Sequence, residues 1–154
     1  PPGPAEIRTF TGKWSATGTR QVMQLESSHQ AAIFRVTGSL LLEGKQRLKR
    51  GFKAELIGFF DSLKGMLGSS VWTDEHGDKV FSELQGDTDF PSSLISGTFL
   101  GGTGRYAHVT GEYTFKWRRL TSSEYGKVSG RVVDLKGWAR LGSPAASSDS
   151  LEDQ

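Results

Sequence analysis

Period-two alternation of apolar residues is the feature that most restricts how this chain can fold. Starting from Gln30, the residues Ala32, Phe34, Val36, Gly38, Leu40 and Leu42 occupy every second position, and Phe52, Ala54, Leu56, Gly58 and Phe60 repeat the pattern. Lys53, Glu55, Ile57, Phe59 and Asp61 alternate with that second set, polar at the ends of the run and apolar in its middle. Gly111, Tyr113, Phe115 and Trp117 form a third run, separated by Glu112, Thr114, Lys116 and Arg118. Successive side chains of a strand point to opposite faces, so each run reads as a β-strand with one principal apolar face. Further strands are expected near Trp14–Leu25, Met66–Asp74, Lys79–Gly86, Leu94–Gly101 and Lys127–Leu141, about eight in all. Connections such as Asp74–Asp78 are short and rich in turn formers, so neighbouring strands should pair antiparallel as hairpins.

Eight such strands in succession leave two bare edges unless the sheet curls until its ends meet. The expected fold is therefore all-β, a closed antiparallel barrel with up-and-down connections. At that strand number the interior is either filled by side chains or just wide enough for one small ligand. The pattern leaves open which face of each strand lines it. Glycines inside the strands, at 18, 38, 58, 68, 97, 130 and 137, fit places where a tightly curved sheet must bend.

A length of 154 residues suits one domain with one core. Three prolines in the first four residues and a small, polar, acidic stretch from Ser143 mark residues 1–8 and 143–154 as disordered ends around a barrel at 9–142. The chain begins without methionine, which fits a targeting segment already removed as well as none, and the compartment stays open. No apolar run is long enough for a transmembrane helix, so no membrane span is expected. With no cysteine there is no disulfide framework, thiolate metal site or cysteine nucleophile.

Residues 7–142 carry 19 basic and 13 acidic side chains, a distinctly basic barrel. Most of the excess sits in Lys45, Arg47, Lys49, Arg50 and Lys53, which could attract an anionic partner by Coulomb attraction or form a plain solvated hairpin. No series of aromatic side chains interleaves with that run, which holds Phe52 alone, and no helix motif accompanies it, so nucleic-acid binding is not expected.

The histidines at 29, 76 and 108 have no zinc-site spacing, and Asp74, Glu75 and Asp78 lack the alternating oxygen ligands of a calcium loop. No metal or organic cofactor is expected. Serines such as Ser82 and Ser96 stand in no nucleophile elbow. The cluster Gly101, Gly102 and Gly104 lacks the long helix of a phosphate loop and the βαβ unit of a dinucleotide site. It reads as a turn, in which Arg105–His108 can form one helical turn that closes a barrel end.

Segment Ile95–Phe115 runs from an apolar strand through Gly-Gly-Thr-Gly, an aromatic, a small residue and Thr-Gly into another strand. It resembles the barrel of allene oxide cyclases and dirigent proteins. The hairpin Val71–Phe81, with Gly77 and Asp78 at its turn, is similar to the one preceding the glycine-rich loop in allene oxide cyclase-like proteins. The two matches cover about residues 66–118. The resemblance implies a barrel of a superfamily containing cyclases, guides of radical coupling and barrels that promote polyketide cyclisation. It also implies an apolar, shape-imposing pocket and, from the dirigent relatives, a homodimer or trimer.

Were the barrel catalytic, its actors would be carboxylates buried in an apolar cavity, where desolvation raises the pKa and readies the group for proton transfer. Glu55 and Glu83 are the candidates, since each lies between apolar or aromatic neighbours in sequence, although Lys53 and Asp61 on the face of Glu55 favour solvent exposure. Phe34, Phe52, Phe60, Trp72, Phe99, Tyr113, Phe115 and Trp117 could line an interior that takes an apolar small molecule. The first functional expectation is a cofactor-free host that binds such a molecule and promotes its cyclisation or isomerisation by confinement. The alternative is a non-catalytic secreted or surface barrel whose basic hairpin contacts anionic partners.

Overall fold

The computed structural model describes residues 7–44, 50–122 and 125–142. It contains eight strands: β1 (Ile7–Gln24), β2 (Gln30–Glu43), β3 (Arg50–Asp61), β4 (Gly65–Asp74), β5 (Lys79–Gly86), β6 (Ile95–Gly102), β7 (Thr110–Ser122) and β8 (Lys127–Arg140). Each pairs antiparallel with the next, and β8 pairs back with β1, so the sheet closes in chain order. The all-β barrel read from the alternation is the observed fold. No helix among the described residues is long and apolar enough to cross a membrane.

Strand β1 begins at Ile7, well ahead of the expected start at Trp14, and the pair Ile7↔Arg140 makes Ile7 and Arg8 part of the barrel. Ile7–Lys13 mixes Thr, Arg, Gly and Lys among few apolar residues, and its strand state is imposed by pairing with β8, joined from Thr11 onward by pairing with β2, rather than by its own pattern.

Inward positions follow one parity along most strands, and on β8 the parity changes at a bulge between Val132 and Leu135, both buried. Phe10, Trp14 and Ala16 of β1 point inward, as do Ala32, Val36 and Leu40 of β2, Phe52, Ala54 and Leu56 of β3, and Tyr113 and Phe115 of β7. The intervening residues face out. Close strand crossings require glycine at Gly18 and Gly38: a Cβ on either would collide with the backbone of Arg35 or Ser15 on the paired strand. Elsewhere an aromatic ring lies over a glycine of a neighbouring strand, with Phe34 over Gly58, Tyr113 over Gly97 and Trp117 over Gly130.

The two ends of the barrel differ. At one end the glycine-rich loop forms a single 3-10 turn, Gly104–Tyr106, that tucks Tyr106 into the core against Phe52, with ring centroids 5.9 Å apart. The Tyr106 hydroxyl donates to Asp74 Oδ2 at 2.8 Å, while the backbone N–H groups of His76 and Asp78 donate to Asp74 Oδ1. Burial pushes the Asp74 pKa up, but these three donors outweigh it and hold the carboxyl below its ordinary value. Lys79 N–H donates to Thr103 Oγ1 and Thr103 N–H to the Lys79 carbonyl, each at 2.9 Å, which laces the loop to the β4–β5 hairpin. This end is closed. At the other end lie the turns after β1 and β3 and the β5–β6 loop at residues 87–94.

Candidate functional site

Inward aromatic side chains fill the closed half. Phe52, Trp72, Phe99 and Tyr113 pack with ring centroids 5.0–5.7 Å apart, and Phe10 and Tyr106 join them. Tyr113 shares a 2.7 Å hydrogen bond with Ser82, and burial pushes its phenol up to about 12. A void of only about 10 Å³ is left here, beside Leu84 and Tyr113. That is about the least space one water needs. This half is core.

The open half is not filled. A cavity of about 80 Å³ lies between Trp14, Phe34, Leu56, Phe60, Phe115 and Trp117, with Ala32, Val36, Met66, Ile95 and Val128 completing its apolar wall. At ~10–15 Å³ per water it would take about five to eight of them. Phe90 and Pro91 of the β5–β6 loop bend over it. The Phe90 ring stacks on Phe34 at 5.4 Å and tilts against Phe60 at 5.5 Å, so a loop aromatic caps two strand aromatics. Arg20 and Arg119 are the charged members of the lining.

Asp61, at the end of β3, accepts hydrogen bonds from His29 Nε2 at 2.9 Å and from the Leu63 backbone N–H at 2.8 Å. Those two donors hold its carboxyl below the ordinary value against the opposing effect of burial. The contacts pin the β1–β2 turn to the β3–β4 turn at the open rim.

The expected carboxylates are not in this cavity. Glu55 stands on the outer face of β3 and receives Arg35 Nη2 at 2.8 Å, and that hydrogen bond holds its pKa down. Glu83 is exposed on the outer face of β5, beside a surface groove lined by Ile33, Ile57, Phe59 and Leu67. Apolar neighbours in sequence are what an outward residue of an amphipathic strand has, because adjacent side chains point to opposite faces. Glu55 and Glu83 therefore lack the burial that proton transfer in an apolar pocket requires.

Among the eight aromatic candidates, Phe34, Phe60, Phe115 and Trp117 line the cavity, whereas Phe52, Trp72, Phe99 and Tyr113 belong to the packed half. Lys45, Arg47 and Lys49 of the basic run lie outside the described residues, as does the side chain of Arg50, and Lys53 is exposed on the outer face of β3. Sequence reasoning passed over Arg20, Phe90 and Arg119. Arg20 continues the inward parity of Trp14 and Ala16, and Arg119 that of Phe115 and Trp117, a signal present in the sequence. Phe90 sits in a loop and had none. Among the described residues no three metal-ligating side chains gather.

No family model and no curated protein matches the sequence. The pterocarpan synthase dirigent protein GePTS1 is similar over 90% of this chain and 94% of its own, at 13% identity and a TM-score of 0.47.

Proposed function

We propose that this barrel is a host for an apolar small molecule, taken up through the rim that carries Phe90. The observation that supports this most is the contrast between the halves: one packed to a 10 Å³ remnant, the other leaving 80 Å³ enclosed by aromatic and aliphatic side chains. Well-packed interiors carry few voids larger than a water, and an apolar cavity of useful size is a ready site for an apolar guest. A guest larger than one ring displaces Phe90, whose two ring contacts are worth about 0.5–1.5 kcal/mol each.

The lining offers no carboxylate, imidazole or thiol. A cyclisation or isomerisation run here would draw on confinement, the walls selecting the folded conformer of a flexible substrate, rather than on a side-chain base.

Titration with the neutral fluorophore N-phenyl-1-naphthylamine tests the reading. Saturable binding by the native protein is expected, and loss of it in Ala32→Phe, where a ring replaces the methyl of a lining residue that is 5% exposed. Absence of saturable binding, or full binding by a folded A32F, refutes the site.

A further inference from the structure

We propose that the guest carries an oxyanion, of the carboxylate or sulfonate kind, which Arg20 and Arg119 hold at the mouth of the cavity while its apolar body lies among the rings. The inference rests on the host reading and adds the chemical class of the ligand.

Both arginines occupy inward positions, on strands that flank β8 from opposite sides. Arg20 follows Trp14, Ala16 and Gly18 along the inner face of β1, and Arg119 follows Phe115 and Trp117 along that of β7. The other thirteen lining residues carry no charge, and no described carboxylate lies within ion-pair distance of either guanidinium. Elsewhere the pattern differs: Arg35 has Glu55 and Arg105 has Asp78. Partial burial of Arg20, and then the nearby charge of Arg119, disfavour its protonated form relative to an ordinary arginine.

The two like charges at the mouth of this apolar cavity repel one another with no described carboxylate to offset them, and Arg20, half-buried where Arg119 is exposed, is also partly desolvated. An oxyanion between them relieves both effects and accepts charge-assisted, planar hydrogen bonds from the guanidinium forks. The bland reading is that the arginines lay their stems along apolar surface and keep their heads in water. It predicts no preference for an anionic guest.

The test compares N-phenyl-1-naphthylamine with 8-anilinonaphthalene-1-sulfonate, the same ring system bearing a sulfonate, on the full chain. At low ionic strength the sulfonate should bind about tenfold tighter or more, the factor given by one charge-assisted contact. That ratio should fall to about one in R20Q/R119Q, with the melting transition confirming the fold. R118Q/R131Q removes two exposed charges from the outer faces of β7 and β8 and should keep the ratio. Equal affinities in the native protein, a ratio unchanged in R20Q/R119Q, or an equal loss in R118Q/R131Q would each overturn the oxyanion subsite. Saturable binding of the neutral probe in those cases leaves the host reading standing. Failure of both probes removes the host reading, and the subsite with it.

Discussion

Replacing Gly58 by alanine should destabilise the barrel and deform the cavity in one step. The added Cβ would overlap Phe34 Cζ and stand 2.8 and 3.1 Å from its Cε2 and Cε1, against the ~3.5–4.0 Å of ordinary carbon contact. Backbone on β2 and β3 is fixed by the paired register, so the ring must tilt away. Overpacking of this kind costs about 1–3 kcal/mol. Tilting Phe34 also breaks its stack on Phe90, about 0.5–1.5 kcal/mol more. At roughly 2–4 °C per kcal/mol for a domain of this size, the melting temperature should fall by about 3–18 °C. Gly51, on the same strand, has no atom within 4 Å of a Cβ. Gly51→Ala should therefore be neutral or raise stability by up to ~1 kcal/mol, since alanine loses less backbone entropy. Calorimetric melts of the two variants, with naphthylamine titrations alongside, decide the matter. In Gly58→Ala/Phe34→Leu the loss should be at least ~1 kcal/mol smaller than the sum of the single losses. A Gly58→Ala protein as stable as native, or penalties that simply add, would refute the ring-over-glycine argument.

Tyr106→Phe removes one donor from the buried Asp74 and should cost about 1–3 kcal/mol in thermal or urea unfolding, whereas a closed end held by other contacts would show no loss. Because Asp74 and Asp61 have folded pKa values below their unfolded ones, their contribution is complete above the unfolded value of ~3.9 and is lost as pH falls through the folded values. Acid unfolding should accordingly begin below about pH 4, and at higher pH in Tyr106→Phe, where Asp74 keeps fewer donors. Tyr113, pushed up to about 12, stabilises the fold below the unfolded tyrosine pKa of ~10 and loses that contribution as pH rises toward 12, which ultraviolet titration of the phenols will register. Glu55→Gln should change stability by less than ~1 kcal/mol and leave probe binding intact, because its partner Arg35 is exposed and the pair stands outside the barrel. Impaired binding in that variant would return Glu55 to the site.

The architecture was legible because alternation is local. Val36 and Leu56 declare their faces through residues two positions away, and eight such runs joined by short turns leave closure as the way to remove bare edges. Ile7–Lys13 was not legible, since its strand state comes from partners far away in sequence, on β2 and, toward the other end of the chain, on β8. Within the site the same parity rule works both ways. It identifies Phe34, Phe60, Phe115 and Trp117 as inward, and followed consistently it also places Glu55 outside with Lys53 and brings in Arg20 and Arg119. Adjacency to Ala54 and Leu56 misdirected the choice of Glu55, because in a strand the nearest neighbours in sequence are the farthest in facing. Which half would be hollow was beyond any local pattern. It depends on how eight inward faces meet and on the β5–β6 loop setting Phe90 over the rim.

Mapping of amide and methyl chemical shifts by nuclear magnetic resonance, as N-phenyl-1-naphthylamine is added, tests the host claim most directly. Saturating shifts are expected at Ala32, Phe34, Phe60, Ile95 and Val128, with Leu40, Val80 and Leu84 of the packed half unmoved. Shifts confined to Ile33, Ile57 and Leu67 on the outer surface, or none that saturate, would contradict it.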